Sequence, residues 1–235
     1  MPVTSGQTIA EGKREVSEIS PEGLRAIMAL EVLNEFSNKY LVIEDNKLVG
    51  IKPHLAGDGK VTVGFGDCLL GDDIDFYLED SRKNRINGYL SDQASEYDKM
   101  KDTVIPVDIC FERLCLDVEV FCKNAKKRLD EKGIRLTQNQ FDAIIVAEYQ
   151  CYYVGEDALD AIAAGEGREE LYDLFLDAHG TNGGFESRTN VEMNIFFDSD
   201  YTVPGEKVDV LVKPLEALRK RNIFFDEQAG HGKGE

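Results

Sequence analysis

GDGKVTVGFGD, residues 57–67, is the stretch of sequence on which the fold prediction depends. Its glycines alternate with apolar residues, and Thr62 stands in the middle of the apolar run. This pattern is typical of a β-hairpin whose glycines permit tight turns. The same glycines would let the backbone approach a bulky ligand, with the Thr62 hydroxyl pointing into a cleft and Asp58 exposed in the preceding turn. The segment alone leaves both interpretations open.

A small antiparallel sheet is predicted around this segment, with one helix before it. Residues 40–43 and 47–51 have the period-two pattern of strands, residues 44–46 are predicted to turn, and residues 61–65 are predicted to form a third strand. Ser20 and Pro21 provide an N-cap and a first-turn proline, so a helix is predicted from Ser20 to about residue 37. This helix carries Glu31.

The rest of the chain is predicted to be mostly helical. Apolar residues recur at helical spacing over residues 108–129. Thr137 and Gln140 form a capping-box pattern that opens the next helix, which leads to Gly155. Shorter helices are predicted over residues 156–164, 168–178, 186–197 and 214–221. The predicted fold class is therefore α+β, with a small antiparallel β lobe, a larger helical lobe and a cleft between them.

Charge and hydropathy exclude several classes of function. The chain has 235 residues, of which 42% are hydrophobic, and a formal net charge of -18. This charge argues against nucleic-acid binding, because phosphate contacts need a basic face. Mean hydropathy is -0.33, and no apolar stretch approaches the roughly 20 residues that span a bilayer. The N-terminus lacks the apolar region of a secretory signal, so we expect synthesis in the cytoplasm and no membrane insertion.

Neither a disulfide framework, a metal site nor a cofactor is predicted. The five cysteines are odd in number and contain no CxxC pair, so buried free thiols in a reducing compartment are expected. His54, His179 and His231 do not have metal-ligand spacing. The acidic run at residues 71–75 lacks the spacing of a calcium-binding loop and is predicted to be solvated.

Glu31 is the first candidate for acid–base chemistry. Its immediate neighbours are apolar, and Ile27 and Met28 lie one turn earlier. A carboxyl group held against apolar walls keeps its proton more readily, as a general acid for glycosidic cleavage requires. A lone glutamate in an apolar stretch is also common at the boundary of a buried face. Glu35, one turn further on, competes for the same role.

Four segments between residues 20 and 201 form an ordered set of motifs. They are the register of Ser20, Gly23, Ile27 and Glu31; HLAGDGKVTVGFGD at residues 54–67; LTQNQFD at residues 136–142 with Ala143, Tyr149 and Gly155; and Gly184, Arg188, Glu192 and Phe196 before DSDY at residues 198–201. In this order they resemble the phage-type lysozymes of glycoside hydrolase family 24. Each segment is only moderately specific by itself. Four of them in the correct order are a much more specific match.

The resemblance implies a lysozyme-like fold and a muramidase that cuts bacterial peptidoglycan between N-acetylmuramic acid and N-acetylglucosamine. It implies Glu31 as the general acid, with Asp58 and Thr62 holding a water for an inverting reaction. Substrate contacts are expected from His54, Gly64, Phe65, Asp67, Gln140 and Arg188. A monomeric bacteriolytic enzyme is expected, either a phage endolysin released with the help of a holin or a protein delivered to the wall.

The sequence departs from the family pattern around the expected catalytic aspartate. Ala56 stands at that position, so Asp58 would have to replace the missing acid. The family's tyrosine and its later histidine correspond to His54 and Asp67. Without a second carboxylate, Glu31 alone would support a lytic transglycosylase. A catalytically weak wall-binding or structural lysozyme-like protein is the remaining alternative. Arg188 has an alternative as well, an ion pair with Glu192 four residues on.

Three parts of the chain follow from the resemblance. Residues 1–19 are expected to form a flexible arm, residues 20–204 the catalytic domain, and residues 205–235 a C-terminal extension. Within the domain, a hairpin at about residues 38–53 is an insertion relative to the family. We expect this insertion to widen the β lobe and to alter which cell wall the enzyme accepts.

Overall fold

The fold is α+β, as predicted, with helices and small antiparallel sheets. The computed structural model describes residues 16–32, 38–45, 47–55, 61–68, 97–98, 100–180 and 184–205. The helices are α1 (Pro21–Val32), α2 (Val107–Glu131), α3 (Gln138–Cys151), α4 (Glu156–Ala164), α5 (Arg168–His179) and α6 (Glu186–Asp198). The strands are β1 (Leu41–Glu44), β2 (Lys47–Ile51), β3 (His54–Leu55), β4 (Val61–Val63), β5 (Asp67–Cys68) and β6 (Ile105–Pro106), and Asn38–Tyr40 is a 3-10 helix.

The chain divides into two compact units. The sheet unit comprises Pro21–Val120 and Tyr201–Glu235, and the helical unit comprises Met1–Ser20 and Phe121–Asp200. Helix α2 belongs to both, because the division falls between Val120 and Phe121. Each unit has its own set of buried apolar side chains.

The strands form two sheets, where one was predicted. One sheet has the order β1-β2-β6 and the other has the order β3-β4-β5. Pro53 separates β2 from β3, and a proline cannot donate to a strand ladder. The predicted hairpin therefore pairs with Ile105 and Pro106, which precede α2, and not with the glycine-rich segment.

Two strand limits also differ from the prediction. Tyr40 ends the 3-10 helix and does not begin β1, and β4 stops at Val63 and not at Phe65. Strand β4 ends there because Gly64 takes a φ of 54°, which is outside the β region. The predicted turn after β1 is confirmed at Asp45, whose φ is 48°.

Helix α1 buries one apolar stripe in the sheet unit. The fully buried side chains are Ala26, Ile27, Met28, Ala29 and Val32. Each large aliphatic side chain buried in this way contributes about 1.5–3 kcal/mol to folding. The Arg25 Nη2 atom donates a hydrogen bond to the Tyr201 carbonyl at 2.7 Å. Tyr201 is thereby tied to α1.

Helix α3 lies at the centre of the helical unit, since residues 141–148 are all buried. It packs most extensively on α6 and also on α5. The predicted capping box is confirmed, with the Thr137 N–H donating to Gln140 Oε1 at 3.0 Å. The buried Asp142 carboxylate accepts hydrogen bonds from the N–H and hydroxyl of Ser20, the residue before α1. Residues 206–235, which include the predicted helix 214–221, lie outside the described residues.

Candidate active site

The turn between β4 and β5 is the best-defined part of the glycine-rich segment. Strand pairing of Thr62 with Cys68 and of Val63 with Asp67 leaves three residues, 64–66, for the turn. Gly64 and Gly66 have φ values of 54° and 93°, in the region that favours glycine. The Phe65 side chain between them is 1% exposed. This tip of the hairpin is therefore packed into the sheet unit and does not project into solvent.

Glu31 contacts this turn directly. A Cβ atom at Gly66 would lie 2.5 Å from Glu31 Oε2 and 2.9 Å from its Cδ, which is closer than real atoms approach. An alanine at this position would have to displace the Glu31 side chain. The helix and the hairpin that the sequence separates are thus brought together at Glu31 and Gly66.

Gly64 fixes the other side of the same turn. A Cβ atom there would lie 3.2 Å from the Cβ atom of Cys110 on α2. Cys110 is buried, and its thiol lies 3.8 Å from the Ile105 carbonyl oxygen. The turn is therefore positioned between α1 and α2, and its position sets that of Glu31 relative to β4.

Thr62 and His54 lie directly opposite each other on two neighbouring strands. They are register partners in the antiparallel pair of β3 and β4. Side chains of directly opposite residues share one face of the sheet, with Cβ atoms about 4.5–5.5 Å apart. Thr62 is 8% exposed, and His54 is half-buried. The structure thus brings together two of the predicted site residues.

The imidazole ring of His54 stacks on Tyr40. The ring centroids are 4.4 Å apart and the ring planes differ by 17°. The Lys39 ammonium group lies 4.9 Å from the centroid of the Tyr40 ring. Burial lowers the pKa of His54, the nearby Lys39 charge lowers it further, and the Lys52 backbone carbonyl partly opposes this shift. The ring is therefore neutral at pH 7.

The other predicted binding residues, Gln140 and Arg188, belong to the helical unit. Gln140 Oε1 is used in the capping box of α3. The Arg188 guanidinium donates to Gln150 Oε1 at 3.3 Å and to the Val146 carbonyl at 3.2 Å. Its Nε atom lies 3.3 Å from Glu192 Oε1, the ion pair that the four-residue spacing indicated.

A buried ionic cluster surrounds Glu192. This carboxylate is 0% exposed, and His179 Nε2 lies 2.9 Å from its Oε2 atom. The His179 ring stacks on Phe185 with a centroid distance of 5.1 Å. Arg188 thus takes part in a network that fixes α5 against α6. Such a network explains its burial without a ligand.

Several predicted residues lie outside the described residues. Asp58 and Ala56 belong to residues 56–60, Glu35 belongs to residues 33–37, and the acidic run at residues 71–75 and His231 are likewise excluded. Asp67 is described only through its backbone in β5. The pairing of Glu31 with a second carboxylate stays a prediction.

Two residues of the site were missed by the sequence analysis. The sequence indicates Gly66 only as part of a glycine pattern. In the structure, the Glu31 carboxyl group occupies the space that a side chain at this position would take. Tyr40 was assigned to a strand, although its ring supports His54. No local pattern connects Tyr40 with His54, because β1 and β2 separate them.

The cysteines that the structure describes are free, as expected: Cys110, Cys115, Cys122 and Cys151. Burial raises the pKa of Cys115, Cys122 and Cys151 to about 12 in each case. Thiolate is the nucleophilic and metal-binding form, so these three thiols are inert at neutral pH.

Two further findings concern the described residues. Within the ranges given above, no group of three or more His, Cys, Asp or Glu side chains is arranged to hold a metal ion. Among those same residues, no helix has both the length and the apolar character that a membrane span needs.

No family model matches the chain, and neither a curated protein nor a solved structure matches it significantly.

Proposed function

We propose that this protein is a lysozyme-like muramidase that hydrolyses the bond between N-acetylmuramic acid and N-acetylglucosamine in bacterial peptidoglycan. The observation that carries the proposal is the contact of Glu31 with Gly66. It joins the helix and the glycine-rich hairpin, the two segments whose motifs resemble family 24 lysozymes. A carboxyl group at the edge of a sheet that also carries Thr62 is suited to acid catalysis on a glycan.

In the proposed reaction, Glu31 is the general acid. It protonates the glycosidic oxygen as the bond to the anomeric carbon breaks. A water molecule held beside Thr62 attacks that carbon from the opposite face of the sugar, which inverts its configuration. Inversion requires room for this water between the acid and the base. In enzymes whose acid and base are both Asp or Glu, the two carboxyl groups are about 6.5–9.5 Å apart. Asp58 is the candidate carboxylate that the sequence offers.

The position of the turn supports this assignment of Glu31. The carboxyl group is half-buried, rests on backbone at Gly66 and adjoins the fully buried side chains of α1. A catalytic group must be held within a fraction of an ångström, and packing against backbone provides such rigidity. Glu22 on the same helix is exposed.

A lytic transglycosylase is the second candidate, because Ala56 stands at the position of the family's catalytic aspartate. In that reaction the 6-hydroxyl group of the sugar, and not water, attacks the anomeric carbon. Only one acid–base group, Glu31, is then needed. Products of this reaction end in 1,6-anhydromuramic acid.

The test is the release of muropeptides from purified walls of several chemotypes by the full chain and its Glu31→Gln variant. We expect a loss of activity of about 10³-fold or more, since general acid catalysis and its electrostatic support are removed together. Glu22→Gln is the matched control on α1 and should keep full activity. Mass spectrometry of the products separates hydrolysis from anhydro formation. A Glu31→Gln variant with unchanged activity, or an inactive full chain on every wall, contradicts the proposal.

A further inference from the structure

The missing aspartate at position 56 leaves open which group activates water, and β3 carries a second basic side chain close to Thr62. His54 is the direct cross-strand partner of Thr62. Opposite side chains on one face have Cβ atoms about 4.5–5.5 Å apart. A water bound to the Thr62 hydroxyl would therefore lie within reach of the imidazole.

The His54 ring is held in one orientation by the inserted hairpin. Tyr40, at the start of that hairpin, stacks on it at 4.4 Å with nearly parallel planes. Lys39 lies on the Tyr40 ring and adds a cation–π contact. The insertion thus supports a site residue, which gives it a role beyond enlarging the sheet lobe.

The hydrogen bonding of the His54 ring is incomplete in the described residues. Its Nδ1 atom is buried and meets no partner with hydrogen-bonding geometry in the described part of the chain, although the Lys52 carbonyl acts on the ring. A buried polar atom without a partner costs about 1–3 kcal/mol. The groups that face the ring are Lys39, Tyr40, the Lys52 backbone and Thr62.

We propose that His54 is the general base of the reaction, accepting a proton from the water that Thr62 positions. This inference rests on the proposed muramidase function. As the water oxygen bonds to the anomeric carbon, one of its protons passes to the basic nitrogen of His54. The bond from that carbon to the glycosidic oxygen breaks, and this oxygen keeps the electron pair and takes the proton of Glu31. Transfer of one proton from imidazolium to the Glu31 carboxylate through solvent resets the site.

The protonation state agrees with this role. Burial and Lys39 lower the pKa of His54 below its ordinary value of 6.5. The neutral, proton-accepting form therefore prevails at pH 7. The rate of hydrolysis should fall as the pH drops through this lowered pKa, and that acid limb should be absent from a His54 variant.

The test compares His54→Gln and His54→Ala with the full wild-type chain. His54→Gln keeps a planar group for Tyr40 but has no basic nitrogen, so it covers the case in which His54→Ala does not fold. We expect kcat to fall about 10²–10⁴-fold with little change in KM, the range for one general base. Imidazole in the buffer should restore hydrolysis by His54→Ala. Leu55→Ala, on the neighbouring exposed position of β3, is the matched control and should be fully active.

The products provide a second measurement. When water is no longer activated, the remaining cleavage should shift towards 1,6-anhydro ends. Unchanged kcat in His54→Gln overturns the inference, and so does a wild-type protein that forms anhydro products alone. An inactive Asp58→Asn beside an active His54→Gln would assign the base to Asp58. Both results leave the muramidase proposal standing, since that proposal fails only if Glu31→Gln stays active or the wild type never cuts.

Discussion

The buried carboxylates of the helical unit and the His54 imidazole of the β3-β4-β5 sheet differ in what lies beside them. In the helical unit, the fully buried Glu148 is held by the Arg128 guanidinium at 2.5 Å from each carboxylate oxygen. Glu192 is enclosed by His179 and Arg188 in the same manner. In the sheet, the His54 ring is stacked on Tyr40, and the charged side chain that acts on it is the cation Lys39.

The difference is between charges that are held by an opposite charge and a ring that is held by stacking. A buried charge whose partner is an opposite charge fixes two helices relative to each other, and its removal leaves the partner uncompensated. Ring stacking holds His54 without fixing its charge. Variants on the two sides should therefore affect different properties, stability in one case and catalysis in the other.

The largest effect on stability is expected from Glu192→Ala. It leaves the Arg188 charge buried without its acid, which costs about 3–5 kcal/mol of the free energy of unfolding. Urea denaturation followed by circular dichroism measures this change. Ser187→Ala, at an exposed position of α6, is the control and should stay within about 0.5 kcal/mol of wild type. Equal stability of the two variants would mean that the cluster contributes nothing to the fold.

A smaller loss, about 3 kcal/mol, is expected from Gly66→Ala, because a left-handed backbone and a steric contact with Glu31 are penalised together. Gly133 is the matched control, since its φ is 68° and nothing lies within 4 Å of a Cβ atom there. Gly133→Ala should lose only about 1 kcal/mol and keep its activity. Because the alanine displaces Glu31, the rate of muropeptide release by Gly66→Ala should fall about 100-fold. Similar losses in both variants would show that the Glu31 contact adds no strain.

A gain of about 1 kcal/mol is expected from Ser199→Gly. Ser199 caps the C-terminus of α6 with a φ of 56° and is exposed, so glycine relieves strain and removes no packing. Thermal unfolding should show a higher Tm. Ser199→Ala changes the side chain but keeps the strain, and a matching rise in that control would refute the strain argument.

The smallest effect is a dependence of stability on pH at His54. Its folded pKa is lowered, so between this value and 6.5 the unfolded chain binds more protons than the folded chain. The His54 contribution to stability is thus full above pH 6.5 and is lost as the pH falls through the lowered pKa. The free energy of unfolding should be measured for wild type and His54→Gln from pH 8 to pH 5. As the pH falls, the wild type should lose stability relative to the variant. A constant difference would exclude the shift.

Local rules predicted the helices well, because the signals that begin and end a helix lie within a few residues of its ends. Thr137 and Gln140 opened α3 as expected, and α4 has the predicted limits of residues 156–164. The predicted continuation of the first helix to about residue 37 and the predicted helix at 214–221 fall outside the described residues. The α+β class followed from the same signals.

Pairing over distance could not be predicted. Strands β3, β5 and β6 have two residues each. So short a strand forms because it pairs with a neighbouring strand, and its own sequence does not predict it. The same is true of the site. Glu31 and Thr62 could be proposed from motifs, whereas the contact of Glu31 with Gly66 and the stacking of Tyr40 on His54 arise only when separate elements pack.

The hydrogen bond from Arg25 to the Tyr201 carbonyl has a consequence for biosynthesis. A ribosome releases Arg25 early, whereas Tyr201 emerges only after the helices of the helical unit have been made. Helix α1, which carries Glu31, therefore acquires this contact late in translation. A chain that is cut short before Tyr201 would contain every residue proposed for catalysis, and yet the helix that presents the acid would lack this tether.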